Sequence, residues 1–139
     1  MGKRFWISVV VMLALSLGLS FIIHDALLGP DYAQQPSLYR PQPEMQAHFP
    51  VMLLAHALYA FGFTWIYLKG REAAKPFLGQ GVRYGLAIAV LATIPTYLIY
   101  YVVLPLPAAL VVKQIVFETI AVVIMGVVLA AITQDRQRA

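Results

Sequence analysis

Residues 108–132 read AALVVKQIVFETIAVVIMGVVLAAI. At 1.5 Å rise per residue this run makes roughly 37 Å of helix, more than the bilayer hydrocarbon core of about 30 Å. Gln114 and Glu118 stand well inside its ends. A carboxylate at the centre of a span costs about 2.5–3.5 kcal/mol on insertion scales. Glu118 is therefore expected to face protein or water and not lipid. It is the one residue whose type demands an explanation.

Three further runs of this kind precede it. Residues 5–23 and 84–104 carry no Asp, Glu, Lys, Arg or His, and 49–68 carries only His56. With the last run they predict an all-α integral membrane four-helix bundle, a single domain over 1–139. The composition agrees: 61% of the residues are hydrophobic and 12% charged, about half the charged share of a soluble domain. Mean hydropathy is +0.78. The lipid bilayer is thus the first expected partner, and nucleic acid is not one. A signal peptide competes for the first run, since Lys3 and Arg4 precede it. The run is long for a signal core and no A-x-A site follows, so it is read as a retained span. The absence of cysteine removes disulfides, thiol redox chemistry and cysteine metal sites.

The loops set the orientation. Lys3 and Arg4 open the chain. The connector from 69 to 83 holds Lys69, Arg71, Lys75 and Arg83 against Glu72, and the tail holds Arg136 and Arg138 against Asp135. The loop 24–48 is acidic, with Asp25, Asp31 and Glu44 against Arg40. The positive-inside rule then places both termini in the cytoplasm and 24–48 outside. That loop carries Pro30, Pro36, Pro41 and Pro43, which argue against helix within it. Its Leu27, Leu28, Tyr32, Leu38 and Tyr39 are candidates to pin it across the mouth of the bundle.

Small residues bring membrane helices together, because lipid supplies no hydrophobic drive between them. Gly81, Gly85, Ala89 and Thr93 recur every fourth residue, followed in step by Tyr97, and so share a face of the third span. Gly126 and Ala130 form a shorter pair on the fourth. The stripe is expected to pack inside one bundle, with a homodimer seam as the other reading. Pro95 leaves the Leu91 carbonyl without its helical donor and predicts a bend.

The interior polar residues fall at similar depths. Counted inward from the loop side, Ser16, His56 and Tyr97 lie about 10 Å deep and Glu118 about 8–15 Å. Ser16, Ser20 and His24 share one face of the first span, and Gln114 and Glu118 one face of the last. The candidate site is therefore a polar cluster of Ser16, His24, His56, Tyr97, Gln114 and Glu118. Glu118 is expected to donate a hydrogen bond to His56 or Tyr97, while Lys113 points elsewhere and snorkels to the interface. Trp6, Tyr59, Trp65, Tyr67, Tyr100 and Tyr101 read as interfacial anchors. No catalytic residue, cofactor or metal is assigned. Haem on His24 and His48, or a metal among His24, Asp25, His48 and His56, stay minor readings without a matching motif.

The loop stretch SLYRPQP, the start GVRYGL of the third span and the late small-residue fourth span resemble small uncharacterised bacterial four-span proteins. The resemblance implies a bundle in a bacterial inner membrane and brings no function. Small multidrug exporters also have four short spans and one membrane glutamate, but theirs is in the first span, which here has none. The leading functional expectation is a non-catalytic subunit or accessory component of a membrane complex. The alternative is a proton-coupled small-molecule transporter working as a homo-oligomer with Glu118 as proton site. The third is a haem- or quinone-binding protein.

Overall fold

A computed structural model describes residues 2–72 and 74–134. The tail charges Asp135, Arg136 and Arg138 lie outside the described residues. The described chain is all-α, with seven helices named in chain order: α1 (Lys3–Phe21), α2 (Gly29–Ala33), α3 (Gln42–Ala47), α4 (Phe49–Gly70), α5 (Phe77–Ile88), α6 (Ile94–Val103) and α7 (Ala108–Thr133). Two π-helical stretches, Ile22–Leu27 and Ala89–Thr93, extend α1 and join α5 to α6. Four continuous helices are thus long and apolar enough to cross a membrane: Lys3–Leu27, Phe49–Gly70, Phe77–Val103 and Ala108–Thr133.

Two boundaries differ from those read in the sequence. The first helix runs on to Leu27, which takes His24 out of the expected loop and into the helix. The third begins at Phe77, not at 84. There Gln80 accepts from the Glu72 backbone N–H at 2.7 Å and donates to the Lys75 carbonyl at 2.9 Å, so the basic connector is tied to the first turn of α5. Glu72 also accepts from Lys75 and from Arg83, and those hydrogen bonds hold its carboxyl below the usual glutamate range.

The proline-rich loop is also more helical than expected. Pro30 sits in the first turn of α2 and Pro43 in that of α3. In a first turn the missing N–H has no intrahelical acceptor and the fixed φ suits the helix, so these prolines start helices. Leu28 is fully buried, and Tyr32, Leu38 and Tyr39 pack on a cluster formed by Ile23, Leu106, Leu110, Val111 and Ala121. Leu27 stays exposed.

The main packing joins α5 to α7 and α1 to α4, with α1 also against α7. The small-residue face of the third span carries the first contact, within one chain. A Cβ built on Gly85 would lie 2.5 Å from Val123 Cα, and one on Gly81 would lie 2.5 Å from Val127 Cα. A Cβ on Gly126 would meet the Gly81 carbonyl. Ala89 and Ala130 are likewise buried. Farther along the same face stand the larger Thr93 and Tyr97, reached through the π-helical stretch that ends just before Pro95. Backbones touch at Gly81 and Gly85 and part toward Tyr97, so α6 packs on α7 far less than α5 does. No residue of α6 is buried, and none of the α4 residues from 49 to 59 is.

At the end of the bundle holding the chain termini, Phe5, Met12, Phe63, Tyr67, Met125 and Leu129 form a second cluster. Tyr84 stacks edge-on against Phe63 and Tyr67 and donates to the Phe63 carbonyl at 2.6 Å, tying α5 to α4. Arg71 donates to the Thr133 carbonyl at the end of α7. Tyr67 is 5% exposed, so it belongs to this core and is no interfacial anchor. Its ring meets Tyr84 from the neighbouring span, a contact that distance from a span end does not reveal.

Candidate functional site

The parting of the helices leaves a cavity of about 390 Å³ in the half of the bundle nearer α2 and α3. Its walls come from four spans: Ser16, Ser20 and His24 from the first, Ala55, His56 and Tyr59 from α4, Thr93 and Tyr97 from the third, and Glu118, Ala121, Val122 and Met125 from α7. The apolar wall is continuous with both hydrophobic clusters. Glu118 is the only Asp, Glu, Lys or Arg among the lining residues.

Of the six residues expected to cluster, five line this cavity: Ser16, His24, His56, Tyr97 and Glu118. Gln114, buried one turn before Glu118, lies behind the wall and joins through hydrogen bonds. They fall into two groups. In the first, Gln114 Nε2–H donates to Tyr32 Oη at 3.2 Å, and Tyr32 Oη lies 2.6 Å from His24 Nδ1. His24 Nε2 lies 2.9 Å from Glu118 Oε1. Which partner donates follows the His24 tautomer: a ring protonated on Nε2 directs that proton at Glu118 and accepts at Nδ1 from the Tyr32 hydroxyl. The bond made at one ring nitrogen is tied in this way to the proton on the other. In the second group Ser16 Oγ donates to the Leu13 carbonyl at 3.0 Å and accepts from His56 Nδ1–H at 3.1 Å. Among the described residues His56 Nε2, Tyr97 Oη and Tyr59 Oη have no hydrogen-bond partner.

Glu118 therefore meets neither His56 nor Tyr97 through a hydrogen bond; its partner is His24. The correction has a physical cause. The π-helical stretch keeps the first span helical through His24 and turns its ring toward α7, while Tyr32 engages the other ring nitrogen. Lys113 turns away and pairs with Asp31 of α2 at 2.8 and 2.9 Å. Tyr59, also read as an anchor, lines the cavity.

Tyr32 is the member that reading by span depth missed, because it sits in the loop. Burial, partly offset by the Gln114 hydrogen bond, pushes its phenol up to about 12, so it stays protonated and able to donate. Burial also raises the neighbouring Tyr39, whose ring lies 4.8 Å away, centre to centre. Both nitrogens of His24 are engaged, and His48 Nδ1 bonds to the Glu44 carbonyl on the exposed side. Among the described residues no three His, Asp or Glu side chains gather to hold a metal ion.

No protein-family model, curated protein or solved structure matches the chain. The functional reading therefore rests on the site.

Proposed function

We propose that this is a small multi-pass protein of a bacterial inner membrane that binds a small amphipathic molecule in the cavity and exchanges it against a proton at Glu118. The observation that carries the reading is the cavity, with one carboxylate, two imidazoles and the hydroxyls of Ser16, Ser20, Tyr59, Thr93 and Tyr97 set among Leu19, Ala55, Ala121, Val122 and Met125. Its volume of about 390 Å³ falls in the range of small-molecule sites, and a few fixed polar groups in an apolar lining give such sites their orientation. A cluster serving assembly alone would gain nothing from leaving this space. An ionisable side chain inside a membrane span is commonly part of a substrate or proton path. The loop charges support an orientation with both termini cytoplasmic and α2 and α3 outside. Four short helices enclose little room, so carriage across the membrane takes two or more copies.

A second reading, an accessory subunit of a larger membrane complex, is favoured by one feature: away from the cavity, α6 and the start of α4 present exposed apolar faces that include Val51, Leu54, Leu58, Leu98 and Val102. Those faces are free for a partner's helices as well as for lipid.

Native mass spectrometry of protein purified in mild detergent separates the two. A small molecule retained by the wild type, lost in Ser20→Phe and released on acidification except in Glu118→Gln, is the expected result. An empty wild-type protein accompanied by a larger partner in fixed ratio would overturn it in favour of the accessory reading.

A further inference from the structure

Glu118 lies in a cavity within the spans, so a proton reaching it from the loop side needs a path. The structure offers one, and it runs through the side chain that closes it. On the loop side His24 presents Nδ1 to Tyr32, and on the cavity side Nε2 to Glu118. Tyr32 belongs to α2, which is held in place by three kinds of contact. Lys113 grips both oxygens of Asp31, Gln114 donates to Tyr32, and the Tyr32 ring packs against His24 and Tyr39. The helix is only five residues long and none of them is buried; the buried Leu28 just before it anchors its start, and these side-chain contacts hold the rest.

Resting on the reading of Glu118 as a proton site, we propose that α2 is a gate on proton access to it, closed when Tyr32 caps His24 Nδ1 and Lys113 holds Asp31, and open when both contacts release. In the open state a proton from water bonds to Nδ1. The Nε2–H bond breaks as the proton passes to Glu118 Oε1. The ring ends neutral in its other tautomer, and the carboxylate has gained one proton. Run backward, the same steps return the proton to water. In the closed state Tyr32 occupies Nδ1, and its phenol, raised by burial, supplies no free proton at ordinary pH.

The other titratable groups around the pair do not offer this route. His56 and Tyr59 from α4 and Tyr97 from the third span face the cavity. Asp25, next to His24 in the chain, is exposed, and Lys113 and Asp31 are engaged with each other. Only Tyr32 touches His24 Nδ1 among the described residues.

The test uses the full chain in lipid nanodiscs. The infrared carboxyl band of Glu118, assigned by its loss in Glu118→Gln, is followed after a drop in pH. Tyr32→Phe and Lys113→Gln should each speed its protonation at least about threefold, the change that losing one ordinary hydrogen bond implies. Tyr39→Phe, which removes a hydroxyl with no part in the relay, should leave the rate unchanged. Nitrogen-15 NMR should show His24 unprotonated at Nδ1 in the wild type and mixed between tautomers in Tyr32→Phe. An unaltered protonation rate in either gate variant, or an unaltered tautomer in Tyr32→Phe, would overturn the proposal. Neither measurement depends on the retained molecule, so the gate and the ligand reading fail separately.

Discussion

Glu118 shares its hydrogen bond with a ring nitrogen on another helix, and the consequences of removing it follow from that contact. The pair is only partly covered, with His24 34% and Glu118 22% exposed. Glu118→Ala leaves His24 Nε2 without its partner, a loss of about 1 kcal/mol, near the low end for an unsatisfied polar group. Glu118→Gln keeps an oxygen acceptor at nearly the same place and should unfold within about 0.5 kcal/mol of the wild type, the range of changes that break no buried feature. Unfolding titrations in mixed micelles check both. Equal stability of the Ala and Gln variants would show that the bond does not contribute to the fold.

The third span joins tight packing and a cavity wall along one face. Gly85 meets the α7 backbone and no flexible side chain, so a larger residue there has nowhere to turn. Gly85→Leu must drive α5 from α7, and overpacking of this kind costs about 1–3 kcal/mol or more. Ala87 is exposed and stands off that face. Ala87→Leu should change stability by no more than about 0.5 kcal/mol, as an isolated exposed substitution does. Thermal unfolding of the two variants in one detergent gives the comparison, and equal melting temperatures would remove the glycine contact from the account of the fold. Farther along this face Thr93 and Tyr97 exchange contact for space. The gradient in side-chain size, together with the π-helical stretch before Pro95, is the physical reason that the cavity lies at the α2 end.

Across the whole molecule the charged groups separate by end. Lys75 and Arg83 pair with Glu72 at one end, where Arg71 also stands, while Asp31, Glu44 and Asp25 crowd the other, where Lys113 and Arg40 neutralise part of the charge. The orientation proposed from this asymmetry is checked with single cysteines, since the chain has none of its own. Gln80 is buried and hydrogen-bonded, which makes it a poor probe of the basic connector; Ala74 is exposed in a turn there. An impermeant thiol reagent added to intact cells should label Gln35→Cys and spare Ala74→Cys. The reverse pattern would invert the topology.

The sequence by itself determined the class of fold. Hydropathy summed over some twenty residues is a local property, so four spans, their order and the acidic and basic connectors were legible without any tertiary contact. So was the small-residue face, because a period of four on a helix fixes which residues share a side. The unusual position of Glu118 was legible too, since the cost of a carboxylate in a span needs no knowledge of its neighbours. Its partner was not. The His24–Glu118 contact joins positions 94 residues apart. It depends on a π-helical stretch that periodicity at 3.6 does not reveal and on a tyrosine delivered from a loop. Which nitrogen faces which oxygen is set by the rotation of one helix against another. That rotation comes from the packing of the first span on α4 and α7 and the docking of Leu28 and Tyr32, and only the assembled chain decides it.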